Sequence, residues 1–113
     1  MKTGIELIAE ERQRQIEKEG WTPAHDDLHT GGELNYAAAS YTWAANHVRC
    51  FPQVPIHAPQ TWPWDLAWWK PAKEPTRNLV KAGAMIAAEI DRLQRLENDS
   101  GERIPARKTE TGA

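Results

Sequence analysis

Within nine positions, "HDDLHTGGE" (residues 25–33) brings together two imidazoles, His25 and His29, and three carboxylates, Asp26, Asp27 and Glu33. Oxygen donors at this density suit a hard divalent cation. Mg²⁺ takes six oxygens, commonly a few carboxylates completed by waters and substrate phosphates. Eight of the 16 acids lie in the first 33 residues, against four of the 14 lysines and arginines. Glu11 upstream and Glu89 far downstream could converge with Asp26, Asp27 and Glu33 on one ion. The same letters also have plainer uses. Thr30 and Glu33 spell T-x-x-E, a capping box. Asp26 and Asp27 ahead of a helix interact well with its dipole without any metal. His25 and His29 would suit zinc only on a helix, and the glycines that follow argue for a loop.

A second group of residues could do different work. "WPWDLAWWKP" carries Trp62, Trp64, Trp68 and Trp69. A nucleobase or sugar can stack on such rings, and the same rings can fill a thin core or a subunit interface. Lys70, Lys73, Arg77 and Lys81 follow closely and could meet phosphates or simply face water. The chain has no G-x-x-x-x-G-K-[ST] loop, no G-x-S-x-G elbow and no Cys–His spacing that marks a nucleophile. If the protein is an enzyme, metal-assisted attack by water is the best-supported class.

Three helices must position these residues. The first is expected from about Gly4 to Glu19, opened by the capping box Thr3/Glu6 and closed by Gly20. Its apolar stripe, Ile5, Ile8 and Ile16, continues into Glu11, Arg12, Gln15 and Glu19. The helix therefore either leaves the core midway or lines a polar cleft. The second is expected from about Gly31 to Arg49, with Leu34, Ala37, Ala38, Tyr41, Ala45 and Val48 at helical spacing. Its alanines make it thin enough for a neighbour to approach closely. The third is expected from about Thr76 to Leu96, with Pro75 as an upstream barrier and Thr76 as cap. Leu79, Gly83, Ile86, Ile90 and Leu93 form one stripe, and Glu89 lies beside it.

Residues 51–76 hold six of the eight prolines and four of the six tryptophans. Only a short helical turn, near Asp65 to Trp69, is expected there. A connection this long in a small domain is functional or packed by its own side chains. The polar segment 98–113 is expected to be a disordered tail to a single domain over 1–97.

The chain has 113 residues, a net charge of −2 and one cysteine. These figures imply a single domain with a thin core. They give no electrostatic footprint for duplex nucleic acid and no internal disulfide. Early charges rule out a signal-peptide pattern. The longest uncharged run, Leu34 to Val48, falls short of the roughly 20 apolar residues of a membrane span. A cytoplasmic protein without a membrane partner is expected.

Four segments, "AEERQRQIEKEGWTPAHDD", "GEL" followed by small residues and Tyr41, "WPWDLAWWKP" and "LVKAGAMIAAEIDRL", together resemble small phage and prophage proteins. These are associated with the MazG-like, all-α nucleoside triphosphate pyrophosphohydrolase superfamily. The resemblance spans about residues 5–96. It implies an all-α fold of three main helices, a homodimer or tetramer, and Mg²⁺ (or Mn²⁺) held by acids on two core helices. It also implies cleavage of an NTP or dNTP to the monophosphate and pyrophosphate, by positioning and charge neutralisation. On that basis Glu33 matches the second acid of the family's E-x-x-E pair, and Thr30 stands where the first would be. Asp27 or Glu11 could substitute from outside the helix. Glu89 is followed at three residues by Arg92, so the later E-x-x-D pair is absent. The expected roles are then Asp26, Asp27, Glu33 and Glu89 on the metal, Glu11 or Glu33 as catalytic carboxylate, and Arg12 and Lys81 on phosphate. The other expectation is a non-catalytic phage accessory protein. It would bind a host protein, for example as an anti-defence inhibitor, or a nucleotide, through Trp62, Trp64, Trp68 and Trp69.

Overall fold

The structure, a computed structural model, describes residues 1–100, without the side chains of residues 99 and 100. All its regular elements are helical: α1 (Gly4–Glu19), α2 (Pro23–Asp26), α3 (Glu33–Cys50), a 3₁₀ turn (Leu66–Trp68) and α4 (Pro75–Ser100). The expected all-α class with three main helices is observed. Helix α4 is the central element, with α1, α2 and α3 each packed on it.

The ends of α1 follow directly from sequence. Thr3 accepts from the Glu6 N–H, and the Glu6 carboxylate accepts from the Thr3 N–H at 2.8 Å. Gly20 closes the helix at φ 74°, a left-handed conformation that glycine adopts without steric cost. The short α2 was not anticipated. Thr22 caps it and Pro23 occupies its first turn, so the pattern T-P was its signal.

Two helix starts differ from expectation. The N-cap of α3 is Gly32, at φ 84°, and no side chain caps that end. The Thr30/Glu33 capping box is not formed, because Glu33 is already the first helical residue. Its carboxylate turns back to the Gly31 N–H at 2.7 Å. Pro75 begins α4 rather than barring it, since a first-turn proline gives up no intrahelical hydrogen bond. The N–H groups of Arg77 and Asn78 reach the Glu74 carbonyl. At its other end α4 continues as helix to Ser100, into the segment expected to be tail. Residues 101–113 of that expected tail lie outside the described residues.

The core is thin and made of small residues. Ala37, Ala38, Ala44 and Ala45 of α3 and Ala82, Ala84 and Ala88 of α4 are all buried. Small faces let two helices approach closely, so the alanine face of α3 is used inside the chain against α4 and not as an external interface. Leu34, Tyr41, Met85 and Trp62 supply the bulk. Where α1 crosses α4, Ile8 rests on Gly83. A Cβ at Gly83 would lie 2.5 Å from the Ile8 Cδ1.

The Leu79–Leu93 stripe faces outward. Leu79, Ile86, Ile90 and Leu93 are 40 to 51% exposed, and Ile5 of α1 is exposed as well. The inward face of α4 is instead Asn78, Val80, Ala82, Met85, Ala88, Glu89 and Arg92.

The connection between α3 and α4 is ordered by its own side chains. The indole N–H of Trp62 donates to the Asp65 carbonyl and that of Trp69 to the Ile56 carbonyl, both at 3.1 Å. Asp65 caps the 3₁₀ turn through the Ala67 N–H. Fully buried Asn78 ties the end of the connection to α4, accepting from the Ala72 N–H (2.8 Å) and donating to the Ala72 carbonyl (2.9 Å).

Candidate functional site

The polar side of α1 faces inward. Glu11 and Gln15 are each 2% exposed, so the helix lines a polar cleft rather than leaving the core. Burying a carboxylate without compensation is costly. Glu11 is compensated twice: Arg14 donates to its two oxygens (2.8 and 2.9 Å) and Arg77 of α4 donates to Oε1 at 2.5 Å. Burial works to raise the Glu11 pKa, but the two guanidiniums outweigh it and hold the carboxyl below its ordinary value.

The other acids of the candidate set are paired in the same way. Arg12 donates to Oδ2 of fully buried Asp26 at 2.6 Å and to the Trp21 carbonyl at 3.0 Å. Burial wins there, and the Asp26 pKa is raised. Its Oδ1 has no hydrogen-bond partner among the described residues. Asp27 takes two hydrogen bonds from Arg95 (2.8 and 3.3 Å). Glu89 and Arg92, both buried, form a two-pronged pair at 2.7 and 3.0 Å. Glu33 has a lowered pKa, held by its own N–H and that of Gly31.

The set is thus divided between two regions. Glu11 lies with Arg14 and Arg77. Glu89, Asp27 and Glu33 lie around Arg92: the Glu89 hydrogen bond raises the Arg92 pKa, burial opposes it, and the charges of Glu89, Asp27 and Glu33 add to the rise. Among the described residues no three His, Cys, Asp or Glu side chains gather into a group that could hold a metal ion. In this arrangement the acids do not fit a magnesium ion, because four of them already have a guanidinium in the place of the cation. Arg12, expected at phosphate, is committed to Asp26 and Trp21.

Two hollows adjoin each other beside α1. The outer one, about 360 Å³, is an aromatic cleft lined by Trp21, Trp62, Trp64 and Trp68 with His25, His29, Glu19 and Asp65. Its rings pack edge to face, Trp21 on Trp64 at 5.8 Å and Trp62 on Trp64 at 5.3 Å between centroids. His29 stands 5.1 Å from both His25 and Trp64. Burial, then the neighbouring His25, lowers the His29 pKa. Trp62 is buried beneath the cleft, while Trp68 is 57% exposed at its edge. Trp69 packs behind, 4.9 Å from both Tyr41 and Trp62. The four tryptophans therefore divide by exposure: Trp68 is exposed, Trp64 and Trp69 are half-buried against the core, and Trp62 is buried in it.

The inner pocket, about 40 Å³, is cationic. Arg14, Lys70 and Lys81 line it beside Glu11 and Glu19. Lys81 Nζ donates to the Lys70 carbonyl at 2.8 Å and sits 5.3 Å from the Tyr41 ring centroid. Lys70 Nζ lies over Trp68. Glu19, Trp21 and Trp68 line both hollows and form their shared wall.

Arg14 was missed as a site residue, and Arg77 was read as a cation that could meet phosphate but not as the partner of Glu11. The E-x-x-R spacing of Glu11/Arg14 is a visible helix-pair signal, but the Glu11–Arg77 pair joins residues 66 apart and had none. No protein-family model, curated protein or solved structure matches the chain.

Proposed function

We propose that this protein binds a nucleotide across the two hollows, with the base in the tryptophan cleft and the phosphates at the inner pocket. The observation that supports this reading is the shared wall of Glu19, Trp21 and Trp68. Aromatic faces accept a planar base through stacking, and lysines and arginines a few ångströms further on accept its phosphates. Trp64 and Trp68 would take the base and Lys81 a phosphate.

The MazG-like resemblance adds a second reading, hydrolysis of the bound NTP or dNTP with magnesium or manganese. That resemblance is its support, since in the free chain Asp27 is paired with Arg95, Glu89 with Arg92 and Glu33 with the Gly31 N–H. This reading requires that Asp27 and Glu89 exchange their guanidinium partners, and Glu33 its Gly31 N–H, for the metal. Under that reading Asp26 would join them as a ligand, with Glu11 or Glu33 as catalytic carboxylate. A phage origin and a role against a host protein follow from the same resemblance.

The exposed stripe of α4 supports self-association, since an apolar helix face of this length on a small protein marks an interface. A homodimer joined through Leu79, Ile86, Ile90 and Leu93 is part of the proposal.

The test is a panel of NTPs and dNTPs, with binding followed by calorimetry and pyrophosphate release followed with Mg²⁺ or Mn²⁺ present. Binding without turnover supports the binding protein, and binding with metal-dependent turnover supports the hydrolase. If no nucleotide binds, both readings fail.

A further inference from the structure

The inner pocket and its rim carry more cationic chemistry than Lys81 alone. Arg14 comes from α1 and Arg77 from α4, and both close on the single carboxylate of Glu11. Glu11 is almost completely buried, whereas the two arginine side chains each keep more than a third of their surface open (39% and 38%). Lys81 is a third cation beside them. Burial, then the charge of Arg77, pushes its pKa down, and Glu11 opposes this. Three cations thus surround one carboxylate, with Glu19 reaching Arg14 only at 3.6 Å. A guanidinium offers paired N–H donors that match a phosphate as well as a carboxylate. Two guanidiniums converging from different helices match the separated oxygens of a phosphate or pyrophosphate.

We propose that Arg14, Arg77 and Lys81 form a phosphate- or pyrophosphate-binding site, and that Glu11 is its built-in competitor. Glu11 occupies the guanidinium donors in the free protein, and the arriving anion takes them over. The idea rests on the nucleotide reading only for the natural source of the anion. It assigns Glu11 to neither a metal nor a proton transfer.

The test is calorimetric titration of the full chain with sodium pyrophosphate in the presence of a chelator, so that no divalent metal contributes. Arg77→Gln removes a charge-assisted donor and should weaken binding about tenfold. Glu11→Gln removes the competitor and its negative charge, and should tighten binding severalfold. Changes of opposite sign from the two members of one ion pair are not produced by simple loss of structure. If Glu11→Gln does not fold, as its melting curve would show, Glu19→Gln takes its place. Glu19 lies at the exposed end of α1, and its loss should tighten binding to a smaller degree.

No binding of pyrophosphate by the parent would overturn the proposal. So would an unchanged affinity in Arg77→Gln, or an unchanged or weaker one in the carboxylate variant. A metal-ligand role for Glu11 predicts an unchanged affinity under these metal-free conditions. Failure of the nucleotide reading looks different: pyrophosphate binds with the expected pattern, and nucleotides bind no more tightly than pyrophosphate does.

Discussion

At the residue scale, four carboxylates, Glu11, Asp26, Asp27 and Glu89, each face a guanidinium. A buried ion pair contributes little net stability compared with apolar residues of the same size, but removal of one partner leaves an uncompensated charge. Arg92→Met should therefore cost about 3–5 kcal/mol in a denaturant titration, because Glu89 stays buried without its partner. The double variant with Glu89→Leu should recover most of that loss. Equal destabilisation of single and double variants would contradict the pairing.

Acid titration gives a second residue-level prediction. His29 and Glu11 both have lowered pKa values in the folded chain. The unfolded chain therefore binds protons more readily at both sites, and stability falls as pH falls. The His29 contribution should be lost as pH drops below its ordinary value of 6.5, and that of Glu11 below 4.5. His29→Gln should remove the upper step of the melting temperature against pH and leave the lower one. Of these residues the sequence shows the Glu11/Arg14 and Glu89/Arg92 spacings, which are local. It does not show Arg77 against Glu11 or Arg95 against Asp27, because those pairs exist only once α1 and the segment after α2 have packed on α4.

At the element scale, the caps of α1 were legible, whereas the start of α3 and the orientation of α4 were not. Thr3, Glu6 and Gly20 mark α1 unambiguously, since each satisfies backbone groups of its own helix. The largest apolar residues of α4, Leu79, Ile86, Ile90 and Leu93, form a stripe at helical spacing that carries no sign of which way it faces, and it faces outward. The packed face is set instead by the alanines of α3, which accept the close approach of Ala82, Met85 and Ala88. Close approach also explains Gly83 under Ile8. Gly83→Ala gains about 1 kcal/mol of helix propensity. It also forces a Cβ to within 2.5 Å of Ile8, and such overpacking costs about 1–3 kcal/mol. A net loss of about 1 kcal/mol is expected, turning into a net gain in an Ile8→Ala background. A stabilising Gly83→Ala with Ile8 intact would contradict the close crossing.

At the scale of the whole molecule, the outward stripe and the two hollows occupy different surfaces, so assembly and binding can be separated. No helix among the described residues is long and apolar enough to cross a membrane, and the proposed use of the stripe is self-association. Ile86→Glu together with Leu93→Glu should halve the mass seen by light scattering and leave nucleotide binding in place. An unchanged mass would place the interface elsewhere.

The central claim is that a base and its phosphates are held in adjoining but distinct hollows. Tryptophan fluorescence tests it most directly, because Trp64 lines the base cleft and not the cationic pocket, whereas Trp21 and Trp68 line both. Titration with the NTP and dNTP panel should quench the fluorescence saturably, whereas pyrophosphate should bind by calorimetry and leave the Trp64 share of the emission, taken as the difference from Trp64→Ala, unchanged. Trp64→Ala should lose most of the nucleotide quenching and keep pyrophosphate binding. Absence of saturable quenching by every nucleotide would contradict the claim.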